Sequence, residues 1–181
     1  MKKTGAIAII VSMWLAVTMA WAAQGTEKSE GTKGIKESSP ITWNKYDDAL
    51  KLAAKSKKPL LVDFYTDWCG FCKKMDKQTY IDPNIVKYIN AHFVAVKLNA
   101  ESKEALDLPE GPSSGAQVAR SFGVRSYPQT WFLEPSGKKL GGQPGFMPPE
   151  TFIHFLKYYG DGHYKKMSFQ EYYDQANSKK N

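Results

Sequence analysis

Apolar and polar positions recur along this chain with a period that changes from segment to segment. Tyr46, Ala49, Leu50, Ala53 and Ala54 fall at helical spacing, and Lys57-Lys58-Pro59 closes that stretch, so a helix is expected over 46–55. Leu60 to Tyr65 is a short apolar run with one acid inside, as in a strand buried on both faces. Thr66 to Gly70 then reads as a turn. Phe71 to Gln78 reads as a helix with Phe71, Cys72 and Met75 facing inward. Asp82-Pro83 pairs an N-cap residue with a proline at the first helical position, which starts a helix running to about Asn90.

The pattern then returns to strand over His92 to Leu98. Residues 100–115 are charged, then rich in Pro, Gly and Ser, and are expected to form a long surface connection. A short helix follows at 116–122, and a strand at 129–133. Pro135-Ser136-Gly137 makes a turn into a paired strand that begins at 138–140. Phe152, Ile153, Phe155 and Leu156 give the closing helix, 149–158, its apolar face. Residues 161–181 form a C-terminal extension, in which Phe169, Tyr172 and Tyr173 predict a packed turn of helix before a free end. Helices and strands in this order define an α/β chain with a central mixed β-sheet, helices on both faces and right-handed crossovers.

The N-terminus breaks the pattern. Lys2 and Lys3 precede a run, Ala6 to Ala20, that is apolar or small apart from Ser12 and Thr18, and Ala20-Trp21-Ala22 fits a small-x-small cleavage site. Residues 1–22 are therefore expected to be a signal peptide, placing the protein in the periplasm or otherwise outside the cytoplasm. The alternative is an uncleaved N-terminal membrane anchor, since Gly5 to Ala23 is nearly long enough to span a bilayer. Residues 23–40 are polar, free of aromatics after the cleavage site, and read as a flexible linker. The folded domain is expected over 41–160.

The 181 residues are 42% hydrophobic, with five Trp, ten Tyr and nine Phe. That suits one domain with a substantial core and excludes a disordered chain. The formal charge is +7, and loss of 1–22 removes two lysines and lowers it to +5. Lysines cluster at 55, 57, 58, 73, 74, 165, 166, 179 and 180. A solvated basic surface accounts for them, and attraction to acidic partners or membrane headgroups is the sharper alternative. No nucleic-acid-binding motif is present, so no nucleic-acid partner is expected.

Only two cysteines occur, Cys69 and Cys72. Their spacing closes a ring too small to staple a fold, which calls for a chemical role. They stand where a strand turns into a helix, and the partial positive charge of a helix N-terminus stabilises a thiolate there. Cys69 is expected near the surface as the attacking nucleophile, and Cys72 deeper as the resolving thiol. A zinc site would need four ligands; no second C-x-x-C exists, and His92, His154 and His163 lack ligand spacing, so no metal is expected. His92 and His154 read as surface or capping residues. Asp63 interrupts an apolar strand, where an unpaired carboxylate is costly and its pKa rises. It is expected beneath the cysteines as a buried proton acceptor, with a satisfied structural acid as the plainer alternative. Asp76 lies one helical turn after Cys72 and reads as a solvated acid or a second tuning group.

Leu61-Val62-Asp63-Phe64-Tyr65-Thr66-Asp67-Trp68-Cys69-Gly70-Phe71-Cys72-Lys73 resembles the thioredoxin active-site segment. Val94 to Asn99 resembles the strand that follows the active-site helix, including its lysine, and Gly123-Val124-Arg125-Ser126-Tyr127-Pro128 the approach to the family's cis proline. The match runs from about Trp43 to Tyr158. Within the family, Thr79 to Val86 and Gly145 to Phe152 are similar to the C-terminal periplasmic domain of DsbD-type reductases and to exported thioredoxins of the sulfur-oxidation type. The resemblance implies a thioredoxin fold, a cis Pro128 beside the cysteines, and client contacts at Trp68, Gly70, Phe71, Tyr127 and Pro128. It also implies Lys97 as a partner of Asp63, and Asp76 as a tuning acid. It further implies a monomeric disulfide reductase with no cofactor beyond the Cys69–Cys72 disulfide, acting on client proteins that carry disulfides and fed by a membrane electron donor. Oxidase or isomerase activity, or a non-catalytic client-binding module, are the alternatives. Phe71 and Gln129 depart from the proline and threonine of cytosolic thioredoxin, and the 100–115 connection is longer, so client choice and potential stand apart from the resemblance.

Overall fold

A computed structural model describes residues 40–178. The expected signal peptide and all but the last residue of the linker lie outside the described residues, as do the last three residues of the chain.

Leu60–Tyr65 forms β2, the central strand, and five of its six residues are buried. It pairs in parallel with β3 (Val94–Asn99) and antiparallel with β6 (Gln129–Leu133). A two-residue strand, β1 (Trp43–Asn44), extends β3 in parallel, and β7 (Lys139–Pro144) pairs antiparallel with β6. The sheet order is thus β1-β3-β2-β6-β7. The parallel half needs helical crossovers, and the antiparallel half closes with a hairpin around Pro135 to Gly137.

Side chains alternate across β2 and divide the core in two. Leu60, Val62 and Phe64 join Val94, Val96 and Leu98 against α1 (Tyr46–Ser56) and α4 (Gly115–Ser121). Leu61, Ala95 and Phe132 face the other way, against Met75 of α2 (Gly70–Gln78), Ile85, Val86 and Ile89 of α3 (Pro83–His92), and Phe152, Phe155 and Leu156 of α5 (Pro149–Gly160). Asp63 has the parity of Leu61, so its side chain leaves β2 on the face that α2 covers. The helix ends follow local chemistry. Asp82 caps α3 by accepting from the backbone N–H of Asn84 and Ile85, at 2.9 and 3.1 Å. α1 stops where Lys57 takes a left-handed conformation, φ 57°, two residues before Pro59.

Three expectations are corrected. The 100–115 connection is not simply an irregular surface loop; it contains a hairpin of β4 (Ala105–Leu108) and β5 (Gly111–Ser114). Leu106 and Leu108 alternate inward into the α1–α4 core, and the Asp47 carboxylate accepts from the Asp107 N–H at 3.1 Å, tying the hairpin to α1. The C-terminal extension carries more than a turn of helix. After a 3-10 turn at His163–Lys165, α6 spans Phe169–Ser178 and packs on α5. Phe169 stacks on Phe155 with centroids 4.0 Å apart, and Tyr172 is buried beside Tyr158. Ser168 and Glu171 exchange hydrogen bonds as a capping box at its start. His154, expected at the surface or as a cap, is buried on α5 between Tyr172 and Tyr173.

Candidate active site

Cys69 is the N-cap of α2. It is disulfide-bonded to Cys72, with a Cα–Cα separation of 5.3 Å. Cys69 Sγ also accepts the backbone N–H of Cys72 at 3.0 Å. That N–H is one of the donors a helix start leaves without an intrahelical partner, and it aims partial positive charge at this sulfur. The expected contrast in exposure is small: Cys69 is 4% exposed and Cys72 3%. What separates the two sulfurs is hydrogen bonding, with Cys69 holding the helix-terminal donor.

Around the pair, Trp68 and Phe71 stand out in solvent, 67% and 62% exposed. Phe71 was expected to face inward; it sits at the exposed start of α2, whose inward face is taken by Cys72 and Met75. The Trp68 indole N–H donates to both carboxylate oxygens of Glu101 at 3.1 Å, and its ring meets Tyr127 edge-on at 5.8 Å. The Tyr127–Pro128 peptide bond is cis, and the Pro128 carbonyl accepts from the Gly145 N–H at 2.8 Å. Because Gln129 pairs with Phe64, this loop stands at the same end of the sheet as the turn that carries Cys69. Glu101 went unread in the sequence, since an exposed acid in a polar stretch carries no signal of its own.

Asp63 is 1% exposed. In register it lies between Lys97 on β3 and Thr130 on β6. Burial pushes its carboxyl up to about 7; Lys97 offsets part of the rise, Asp76 adds to it, and the Tyr80 hydroxyl acts with Lys97. Asp63 Oδ1, Tyr80 Oη and Thr130 Oγ1 are all buried, and none makes a hydrogen bond of ordinary geometry among the described residues. Lys97 was expected to pair with Asp63, but its ammonium makes a salt bridge to Asp76. It lies 5.3 to 5.7 Å from the ring centres of Tyr65, Tyr80 and Trp43, within cation–π range. Asp76 is therefore an ion-paired acid whose side chain still reaches solvent. Tyr80 and Thr130 join Asp63 without a sequence signal, because each reads as an ordinary β-compatible core residue. Among the described residues, no cluster of three or more His, Cys, Asp or Glu is placed to hold a metal.

A mixed sheet whose central strand turns into a helix capped by one cysteine of a C-x-x-C disulfide, beside a cis-proline loop, defines a dithiol–disulfide protein of thioredoxin fold. A family model of the thioredoxin-like domain matches residues 46–160, and the chain belongs to that family. It is 27% identical over 110 residues to the thiol:disulfide interchange protein DsbD of Vibrio vulnificus strain CMCP6, covering 60% of this chain and 17% of that one. To DsbD of Escherichia coli K12 it is 27% identical over 139 residues, 76% of this chain and 23% of the relative. The chain thus spans about a fifth of the length of these relatives. Among solved structures, a thioredoxin from Thermus thermophilus superposes with a TM-score of 0.54 at 26% identity, covering 66% of this chain and 86% of that one. A thioredoxin-fold protein from Helicobacter pylori reaches 0.62 at 22% identity, over 68% and 86%, a likeness of fold.

Proposed function

We propose that this chain is an exported protein-disulfide reductase working through Cys69 and Cys72. The observation that carries this reading is Asp63, a buried carboxyl on the α2 face of the central strand with proton affinity near neutrality, which suits the step in which Cys72 must lose its proton. In the reduced protein the Cys69 thiolate attacks one sulfur of a client disulfide. A Cys69–client disulfide forms and a client thiolate leaves. Cys72 then gives its proton to Asp63 and attacks Cys69 Sγ, which expels the second client thiolate and closes the Cys69–Cys72 disulfide. The client gains two electrons, and the same two must return from an external dithiol donor. A membrane-embedded relay fits the DsbD likeness, since the chain corresponds to about a fifth of those proteins.

Trp68, Gly70, Phe71, Tyr127 and Pro128 form the client surface in this reading, with the backbone at Tyr127 pairing to an extended client segment. Asp76 and Lys97 set the charge next to Asp63. Residues 1–22 direct export, and 23–40 tether the domain or, if the segment is retained, hang it from the membrane.

Equilibration with glutathione buffers tests the direction. A reductase has a potential toward the thioredoxin value of about −270 mV, whereas a value near the −120 mV of strong oxidants would make the chain an oxidase.

A further inference from the structure

The active-site helix carries its charge against its own dipole. Lys73 and Lys74 lie in the first turn and a half of α2, no acid stands in that first turn, and a helix N-terminus disfavours cations. With Lys77 they form an exposed basic ridge that begins beside the disulfide. Phe71, exposed at its start, and Ile81, 65% exposed just past its end, bracket the lysines with apolar side chains.

No carboxylate among the described residues lies within ion-pair distance of these three lysines; the acid on the same helix, Asp76, is taken by Lys97. Lys74 instead lies 4.4 Å from the centre of the Phe146 ring. On the other side of Trp68, by contrast, the acids are engaged within the protein. Glu101 holds the indole of Trp68, Asp67 accepts from Asn99, and Glu104 pairs with Lys45. Glu101 and Asp67 keep their negative charge but are held by neutral donors of the protein, whereas Lys73, Lys74 and Lys77 have no acid partner among the described residues, so the α2 side of the rim presents unpaired positive charge.

We infer that the α2 ridge is a docking surface for an acidic partner: a protein segment whose reactive disulfide or dithiol is flanked by carboxylates, with Phe71 and Ile81 receiving apolar side chains at its two ends. The inference rests on the thiol–disulfide exchange proposed above, in either direction, and adds the chemistry of the partner. Charge on the ridge raises encounter rate and fixes which side of the cysteine the acidic stretch occupies.

The test uses the reduced full-length protein and three synthetic peptides. Each carries the same internal disulfide, flanked by glutamates, glutamines or lysines. At about 20 mM salt the glutamate peptide is expected to exchange about tenfold faster than the lysine peptide, and the ratio to fall within about twofold at about 500 mM, where the Debye length is only a few ångström. The triple variant K73E/K74E/K77E reverses the order. The variant K51E/K55E/K57E, at the far end of the central strand, leaves it unchanged. A change in thiolate acidity would scale all three peptides alike, so the ratio isolates docking. Equal rates at low salt, or an equal effect of the distal variant, would overturn the inference. Failure of all three peptides to exchange would instead remove the catalytic reading beneath it.

Discussion

Asp63 and Lys97 are register partners on adjacent parallel strands, yet the lysine's ammonium is bound to Asp76 and not to Asp63. The buried carboxyl therefore feels a cation that is already shared. With the lysine committed elsewhere, burial dominates and the carboxyl holds its proton up to about 7. A group in that range can take a proton from Cys72 and return it without a large free-energy gap.

The raised pKa of Asp63 has a sign in stability. Between the ordinary carboxyl value of 3.8 and about 7 the folded protein binds more protons than the unfolded chain, so this group makes stability fall as pH rises through that window. The cost is absent below the window and complete above it. Asp63→Asn removes it. Urea unfolding is expected to show the variant more stable than the parent at pH 8, by about 3 kcal/mol more than at pH 4.5, while the release of mixed disulfides slows. A difference that does not change with pH would show that Asp63 does not titrate in this range.

Asp76 and Lys97 act on Asp63 in opposite directions. Asp76→Asn takes away a negative charge that raises the Asp63 pKa and frees the ammonium, so the titration of Asp63 moves down. Lys97→Met takes away the cation and moves it up. Carboxyl NMR titration of the two variants checks the pair, and shifts in the same direction would contradict the assignment.

Phe71 is exposed, so Phe71→Ala is expected to change stability by less than about 0.5 kcal/mol. If the ring packs on clients, the variant raises KM for a protein disulfide about tenfold and leaves the rate with a small-molecule disulfide within about twofold, as loss of part of an apolar contact requires. Equal effects on both substrates would place Phe71 in the chemistry and not in client binding.

Tyr172 anchors α6 to α5, where it is buried against Tyr158 and Phe169. Tyr172→Ala is expected to destabilise the domain by about 2–3 kcal/mol in thermal or urea unfolding, with the exchange rate at low temperature unchanged. An unaffected stability would mean that α6 contributes nothing to the folded domain.

Much of the fold was legible because its signals are local. β2 and β6 lie where a run of apolar residues meets turn residues on each side, and α3 starts where Asp82-Pro83 requires. The β4–β5 hairpin was hidden because its second strand is Gly-Pro-Ser-Ser, a composition of loops; the alternation of Leu106 and Leu108 was its only mark, and tertiary burial decides the matter. α6 was undervalued for a similar reason. Its helix propensity is weak, and its stability comes from aromatic contacts with α5 that have no local signature. At the site, the cysteines and Asp63 could be read because each residue type is unusual where it stands, while Pro128, which alone reads as an ordinary turn proline, came only with the family resemblance. Glu101, Tyr80 and Thr130 could not, since their roles arise from pairings across strands and loops. The choice of Asp76 over Asp63 by Lys97 is a matter of side-chain reach, which register alone does not determine.

The central claim is that Cys69 attacks and Cys72 resolves, and trapping tests it most directly. Reduced Cys72→Ser and Cys69→Ser proteins are each mixed with a disulfide-bearing protein client, quenched with acid and resolved by mass under non-reducing conditions. The account predicts a persistent mixed disulfide through Cys69 in the Cys72→Ser protein and none in the Cys69→Ser protein. An adduct that forms equally well through Cys72, or no adduct in either variant, would contradict it.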